Sequence, residues 1–183
     1  MIIGLSGKKQ HGKSTIAKYL VEQYKFTEVS WAEPLKEIVG KQLFGFTHNQ
    51  IYDDKEKEII DQEWKMSPRK ALQIVGTECF RREVCDDFWV KLGIRKINQI
   101  GLNSNIVVSD CRFLNEVEAL RNIGGKIIRV LKLGTKDTDT HASEIELDNY
   151  DKFDLTSSAY PGMISKLKSD IDWFIKYRSD DAI

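Results

Sequence analysis

Surplus charge of either sign is missing from this chain. Lys plus Arg and Asp plus Glu both total 28, so the net charge is zero. A protein that holds nucleic acid on a broad basic face is thereby excluded, although a local patch survives such averaging. Cysteine is scarce. Cys79, Cys85 and Cys111 form an odd set without metal-ligand spacing, and no His/Cys cluster supports structural zinc. The three read as reduced thiols of a cytoplasmic protein. No apolar run approaches the roughly 20 residues of a spanning helix, and no signal peptide is read ahead of the first strand. Repeats and low-complexity linkers are absent. So are the N-K-x-D guanine signature and a D-x-x-G after the central strand, which weighs against a GTP-dependent switch. A motor ATPase would need a coupling element that one small domain does not offer. What remains is ordinary for a soluble enzyme of one α/β domain: 183 residues, 41% hydrophobic and 31% charged.

Within that unremarkable background, Gly7-Lys8-Lys9-Gln10-His11-Gly12-Lys13-Ser14 satisfies G-x-x-x-x-G-K-[ST], the phosphate-binding P-loop. An apolar run, residues 1–6, precedes it and reads as a buried strand. After it, Ile16, Ala17, Leu20, Val21 and Tyr24 share one helical face. Strand, glycine loop and helix in that order aim backbone N–H groups and the positive helix end at a polyphosphate. Gly7 and Gly12 permit the backbone conformations, Lys13 should reach the β- and γ-phosphates, and Ser14 should coordinate Mg²⁺. Thr15 caps or touches the α-phosphate, and Lys8 and His11, the latter at a variable loop position, are counted with the ATP-binding residues. The plain alternative is a glycine-rich turn that binds nothing.

Elsewhere strands and helices alternate. Strands are expected near 26–30, 105–110, 126–133 and 153–156. Helices are expected at 32–44, 53–64, 67–84, 86–100, 114–123 and 162–177, with a polar loop at 135–141. This alternation predicts a parallel sheet covered on both faces, the three-layer α/β sandwich of P-loop proteins. Asp110 ends a strongly apolar strand and so sits at the carboxyl end of the sheet, where such folds bind ligands. A carboxylate there can hold Mg²⁺ through water, and Arg112, two residues on, can contact the transferring phosphate; the alternative for Asp110 is a helix cap. Arg69, Gln73, Thr77 and Arg81 recur at steps of four, a polar stripe suited to a phosphorylated ligand with a base edge, or else a solvated face. Lys36, Trp31 and Trp89 are weaker candidates, since lysines are usually solvated and tryptophans usually core. His141 and Glu144 follow the polar loop, which has the character of a lid.

In order along the chain, GLSGKKQHGKST, WAEPLKE, SPRKALQIVGTECFRR with DDFWV, SDCRFLNEVEAL with GGKIIRV, and HASEIELD resemble the deoxynucleoside monophosphate kinases, P-loop enzymes best known from bacteriophages. The resemblance covers nearly the whole chain. It implies transfer of the ATP γ-phosphate, with Mg²⁺, to a 2′-deoxynucleoside 5′-monophosphate. The implied arrangement is a core of residues 1–30 and 101–183, a helical acceptor-binding region near 31–100 and a lid near 132–143. It implies that Lys36, Arg69, Gln73, Thr77 and Trp89 border the acceptor, Trp31 and Arg81 being counted with them here. It also implies that Asp110, Arg112 and Glu116 belong to the catalytic region, with Glu116 toward the acceptor. If the source is viral, the location is the host cytoplasm. The oligomeric state stays open, a homodimer included. Two departures stand out. Thr156-Ser157-Ser158 lies where the family pattern has an asparagine. The lid segment 132–141 has no arginine, only Lys132 and Lys136, so one of these lysines, or Arg112 and Arg129 from the sheet, must supply the charge. A phosphomevalonate kinase-like enzyme, sharing the P-loop start and an S-D-x-R element, is the alternative.

Overall fold

The structure, a computed structural model, describes residues 1–135 and 139–178. The chain forms two compact units, Met1–Val29 with Lys96–Ile183, and Ser30–Arg95.

The first unit is built on five parallel strands: β1 (Ile2–Ser6), β2 (Thr27–Val29), β3 (Ile106–Cys111), β4 (Lys126–Lys132) and β5 (Leu155–Ala159). Their spatial order is β2-β3-β1-β4-β5. The central strand β1 is buried throughout, as expected where helices cover both faces. Alternation divides its side chains. Ile3 and Leu5 join Ile16, Ala17 and Leu20 of α1 (Lys13–Tyr24) and Leu167, Ile171 and Phe174 of α7 (Ile164–Arg178). Gly4 faces the other way, where an added Cβ would lie 2.6 Å from Leu120 of α5 (Leu114–Asn122). The pairing of β1 with β3 slips between Gly4↔Val108 and Ser6↔Cys111, so β3 carries one extra residue there. Such a bulge redirects the side chains at the strand's end, and Asp110 lies in it.

The second unit is helical and has a hydrophobic cluster of its own: Leu35, Val39 and Trp89, flanked by Phe44, Leu72, Val75, Phe80, Phe88 and Leu92. Its elements include α2 (His48–Tyr52), capped by Thr47 and Gln50, and α3 (Pro68–Gln73), opened by Ser67 with proline in the first turn. Two stretches, Leu35–Leu43 and Ile74–Val84, wind more widely than an α-helix, with i→i+5 hydrogen bonds. Phe44 N–H closes the first on Val39 O at 3.0 Å and Cys85 N–H the second on Phe80 O at 2.9 Å. Wide turns of this kind are rare and recur at functional sites.

The helix expected at 53–64 does not form. The Asp53 carboxylate accepts from the backbone N–H of Lys55 and Glu56, and Asp61 from those of Glu63 and Trp64. These side-chain turns outcompete the helix and leave one 3₁₀ turn, Glu56–Glu58. The last strand is shifted to Leu155–Ala159, and a four-residue helix, α6 (Ala142–Ile145), follows the polar loop.

Trp31 is 2% exposed and lies flat against Gly93 of α4 (Phe88–Ile100). A Cβ at Gly93 would overlap ring atoms Cε3 and Cζ3. Gly93→Ala should therefore destabilise the protein by about 1–3 kcal/mol through overpacking, measured by denaturant unfolding. An unchanged midpoint would contradict this packing.

Candidate active site

The loop between β1 and α1 owes its path to backbone angles that side chains resist. Gly7 has φ +145° and Gly12 φ +99°, and Gln10 between them takes φ +59°. A Cβ on Gly7 would overlap the Val130 carbonyl oxygen of the neighbouring strand. Glycine is the residue that lets the chain leave β1 at this angle and enter α1 within seven residues. The first-turn N–H groups of α1 have no intrahelical acceptors and lie at its positive end. Ser14 and Thr15 there are exposed, and His11 is buried.

Lys13 folds back across the loop. Its ammonium donates to the carbonyls of Gly7 and, at 2.8 Å, Lys8, and it is 8% exposed. Burial, followed by the positive charge of Arg112, lowers its pKa from 10.5 to about 7; Glu144 and Asp110 pull the other way, and Arg129 adds to the lowering. Four charged groups from β3, β4, α6 and the segment after β3 thus act on one ammonium.

Arg112 is held at both ends. Its backbone N–H, with that of Phe113, donates to Glu116 Oε2 at 2.7 and 3.1 Å. Its guanidinium pairs with Glu144 and donates to Ser143 O at 3.1 Å. Arg129, inside β4, donates to Ser6 Oγ at 3.1 Å and pairs with Asp148 at 3.0 Å. Asp148 also takes Lys8 Nζ at 2.8 Å, and Lys9 Nζ lies 3.5 Å from Asp139. The Lys9 N–H donates to Glu144 Oε2 at 2.9 Å. Burial works against an ionised Glu144, but the charge and hydrogen bonds of Arg112, with the Lys9 N–H, hold its carboxyl below the ordinary range. Together these form a charged cradle at the carboxyl end of a parallel sheet, whose cations are paired with carboxylates of the 139–148 segment.

A family model described as deoxynucleotide monophosphate kinase matches residues 39–169. A protein of Acanthamoeba polyphaga mimivirus, described as "Putative deoxynucleotide monophosphate kinase", is 36% identical over 168 residues, covering 85% of this chain and 86% of that protein.

The chain belongs to the deoxynucleotide monophosphate kinase family.

The deoxynucleotide monophosphate kinase of Enterobacteria phage T4 is 22% identical over 80% of this chain and 87% of its own length. A Chloroflexus aurantiacus structure described as a "putative kinase" superposes with TM-score 0.51 at 14% identity, covering 98% of this chain and 96% of that one. At that identity it speaks for the fold alone, an α/β P-loop kinase sandwich.

Within this member of the family the candidate residues separate by unit. Lys8, Lys13, Arg112 and Glu144 lie together in the sheet unit by the contacts above, and Asp110 acts on Lys13 through its charge. His141 caps α6, its Nδ1 accepting the Ser143 N–H at 3.2 Å. Lys132 ends β4, and its carbonyl takes the Thr135 hydroxyl at 3.1 Å; Lys136 lies outside the described residues. Glu116, expected toward the acceptor, has one oxygen turned onto the Arg112 and Phe113 backbone, as the cap of α5.

In the helical unit, Arg69, Gln73, Thr77 and Arg81 are all at least half-buried, whereas Lys70, Cys79, Arg82 and Glu83 beside them are exposed. Arg69 pairs with Glu58 at 2.6 Å, and Arg81 donates to Asp86 O at 2.9 Å. Lys36 lies 4.8 Å from the centre of the Tyr52 ring. The two tryptophans are packing residues here: Trp31 lies against Gly93, and Trp89 sits among Phe80 and Phe88 with its indole N–H on Gly76 O at 2.8 Å.

The motifs alone do not single out Asp148 and Lys9. Asp148 has a signal, standing four residues after Glu144 in HASEIELD, and Arg129 is a charge inside an otherwise apolar strand, KIIRVLK. None of the three cysteines is in a disulfide. Among the described residues, no helix is long and apolar enough to cross a membrane.

Proposed function

We propose that this kinase transfers the γ-phosphate of ATP to a 2′-deoxynucleoside 5′-monophosphate, with Lys13, Asp110 and Arg112 at the reacting phosphates. The observation that carries the reading is the convergence of the Lys13, Arg112 and Arg129 charges with the Asp110 carboxylate at the carboxyl end of the sheet. The acceptor is already mostly dianionic at neutral pH, so no strong base is needed. Bringing two polyanions together is the larger difficulty, and positioned positive charge meets it. Lys13 would bind the β- and γ-phosphates, and Arg112 would face the charge that develops in transfer. The Ser14 hydroxyl, exposed at the start of α1, and Asp110 are oxygen donors suited to a hard cation. Mg²⁺ is commonly held by one or two carboxylates together with substrate phosphates. Bound there, Mg²⁺ would offset phosphate charge. Arg69, Gln73, Thr77, Arg81 and Lys36 are proposed for the acceptor, and the cytoplasm, the host's if the source is viral, as the place of action.

The test is ADP formation from Mg-ATP with dAMP, dGMP, dCMP, dTMP and 5-hydroxymethyl-dCMP, beside AMP, GMP and phosphomevalonate. ADP that depends on a deoxynucleotide, with little from ribonucleotides, is the expected result. Activity confined to phosphomevalonate, or indifferent to acceptor, would refute it. Family membership disfavours the phosphomevalonate reading.

Nucleotide binding should also depend on pH. Phosphates beside Lys13 restore its charged form, so above pH 7 binding takes up a proton. ATP affinity should fall by up to about tenfold per pH unit above pH 7. In the absence of nucleotide the same depressed pKa has the opposite sign. Between about 7 and 10.5 the unfolded chain holds the proton that the folded chain has lost, so this group's contribution to stability rises with pH. Titration calorimetry in two buffers of different ionisation enthalpy reads the proton uptake; affinity that stays flat from pH 7 to 9 would rule it out. Lys13→Arg, whose guanidinium stays charged, should show no slope.

A further inference from the structure

Glu144 is a deeply placed carboxylate of the cradle: its side chain is 1% exposed. A buried carboxylate is costly unless every face of it is occupied. The occupants differ in kind. Among them are the guanidinium of Arg112 and the backbone N–H of Lys9, a P-loop group, at 2.9 Å from Oε2. The same turn of α6 supplies Ser143 O to Arg112 at 3.1 Å. The backbone of Arg112 is fixed separately, by Glu116 at 2.7 Å. Its guanidinium therefore takes its direction from Glu144 and Ser143.

Guanidinium and carboxylate match each other's planar geometry, so this pairing sets orientation as well as distance. An arginine meant to face a phosphate has a long side chain with many rotamers, and ordering it at the moment of reaction would cost entropy. Glu144 removes that cost beforehand, and through Lys9 it registers Arg112 against the P-loop itself.

We infer that Glu144 is a positioning residue for phosphoryl transfer, tying the Arg112 guanidinium to the P-loop backbone. The inference rests on the reading of Arg112 given above. Glu144 itself touches no substrate. Its carboxylate acts through the aim of Arg112, and a misplacement of about 1 Å is enough to lower turnover by on the order of 10²-fold.

The experiment is a double-mutant cycle between Glu144 and Arg112, read as kcat and KM for ATP, with thermal unfolding of each variant. Glu144→Ala should lower kcat by roughly 10- to 100-fold, with the KM for ATP within about threefold of wild type. Arg112→Ala should lower kcat at least as much. The double variant should be no worse than Arg112→Ala, because the residue that Glu144 acts through is already gone. Glu144→Gln, which keeps an acceptor for the Lys9 N–H but loses the charge, guards against a folding defect and should fall between wild type and Glu144→Ala. Losses that multiply in the double variant would overturn the inference while leaving Arg112 its role. Wild-type kcat in a folded Glu144→Gln and Glu144→Ala pair would also overturn it. Unchanged kcat in Arg112→Ala would overturn the reading of Arg112 as well.

Discussion

Lys13→Ala should leave a folded protein whose turnover has dropped by about 10²- to 10³-fold, the scale on which losing one preorganised charge contact is felt. In the absence of nucleotide the ammonium has little stabilising work: it bonds loop carbonyls at Gly7 and Lys8, and burial and Arg112 disfavour its charge. Removing it relieves a desolvated cation, and only the aliphatic stem leaves a gap. Thermal stability should therefore hold to within a few degrees while transfer collapses. Lys13→Met, which keeps the stem, should behave alike in activity. The measurement is kcat in a coupled ADP assay beside circular dichroism on the same samples. Near-normal turnover in a folded variant would remove Lys13 from the chemistry.

Gly7→Ala should do the reverse, harming fold and binding together. Its φ of +145° lies where residues with a Cβ are strained, and the new methyl would meet the Val130 carbonyl, a backbone atom in the middle of a sheet that has no room to move. Strain and overlap each cost about 1–3 kcal/mol, so a loss of roughly 2–6 kcal/mol is expected, with ATP binding weakened at least tenfold. Gly12→Ala gives the contrast. Its φ of +99° is also unfavourable, but the nearest atom to its Cβ would be Leu167 Cδ1 at 3.4 Å, an ordinary contact with a flexible tip. Gly12→Ala should therefore be the milder of the two in urea unfolding. The opposite ranking would show that loop conformation, rather than the approach to β4, governs this site.

The P-loop, its flanking strand and α1 are legible in the sequence because motif, hydrophobic period and glycine placement agree at that point. Asp110 is legible as the end of an apolar strand, but the extra residue in β3 beside it is not, since nothing in SDC distinguishes a bulge from a continuing strand. The segment 53–64 misleads for a physical reason: its charges suit a helix surface, yet Asp53 and Asp61 spend their carboxylates on the following backbone N–H groups. The wide turns at Leu35–Leu43 and Ile74–Val84 share the apolar period of an α-helix, so no local pattern sets them apart. The four-residue α6 is too short for periodicity to reveal. The pairing of its segment with Lys8, Lys9, Arg112 and Arg129 joins residues far apart in the chain. Composition hides it too: a net charge of zero says nothing about where opposite charges meet.

The strand order carries a consequence for synthesis. β1 lies at the centre of the sheet and is the first strand to be made, yet both of its neighbours, β3 and β4, begin only at Ile106 and Lys126. A ribosome adding 5–20 residues per second leaves this apolar strand without a partner for roughly 5–20 s. During that interval Ser30–Arg95, with its own hydrophobic clusters, emerges whole and can consolidate first. The charged cradle, whose glycines follow directly on β1, is then among the last parts of the nascent chain to take shape.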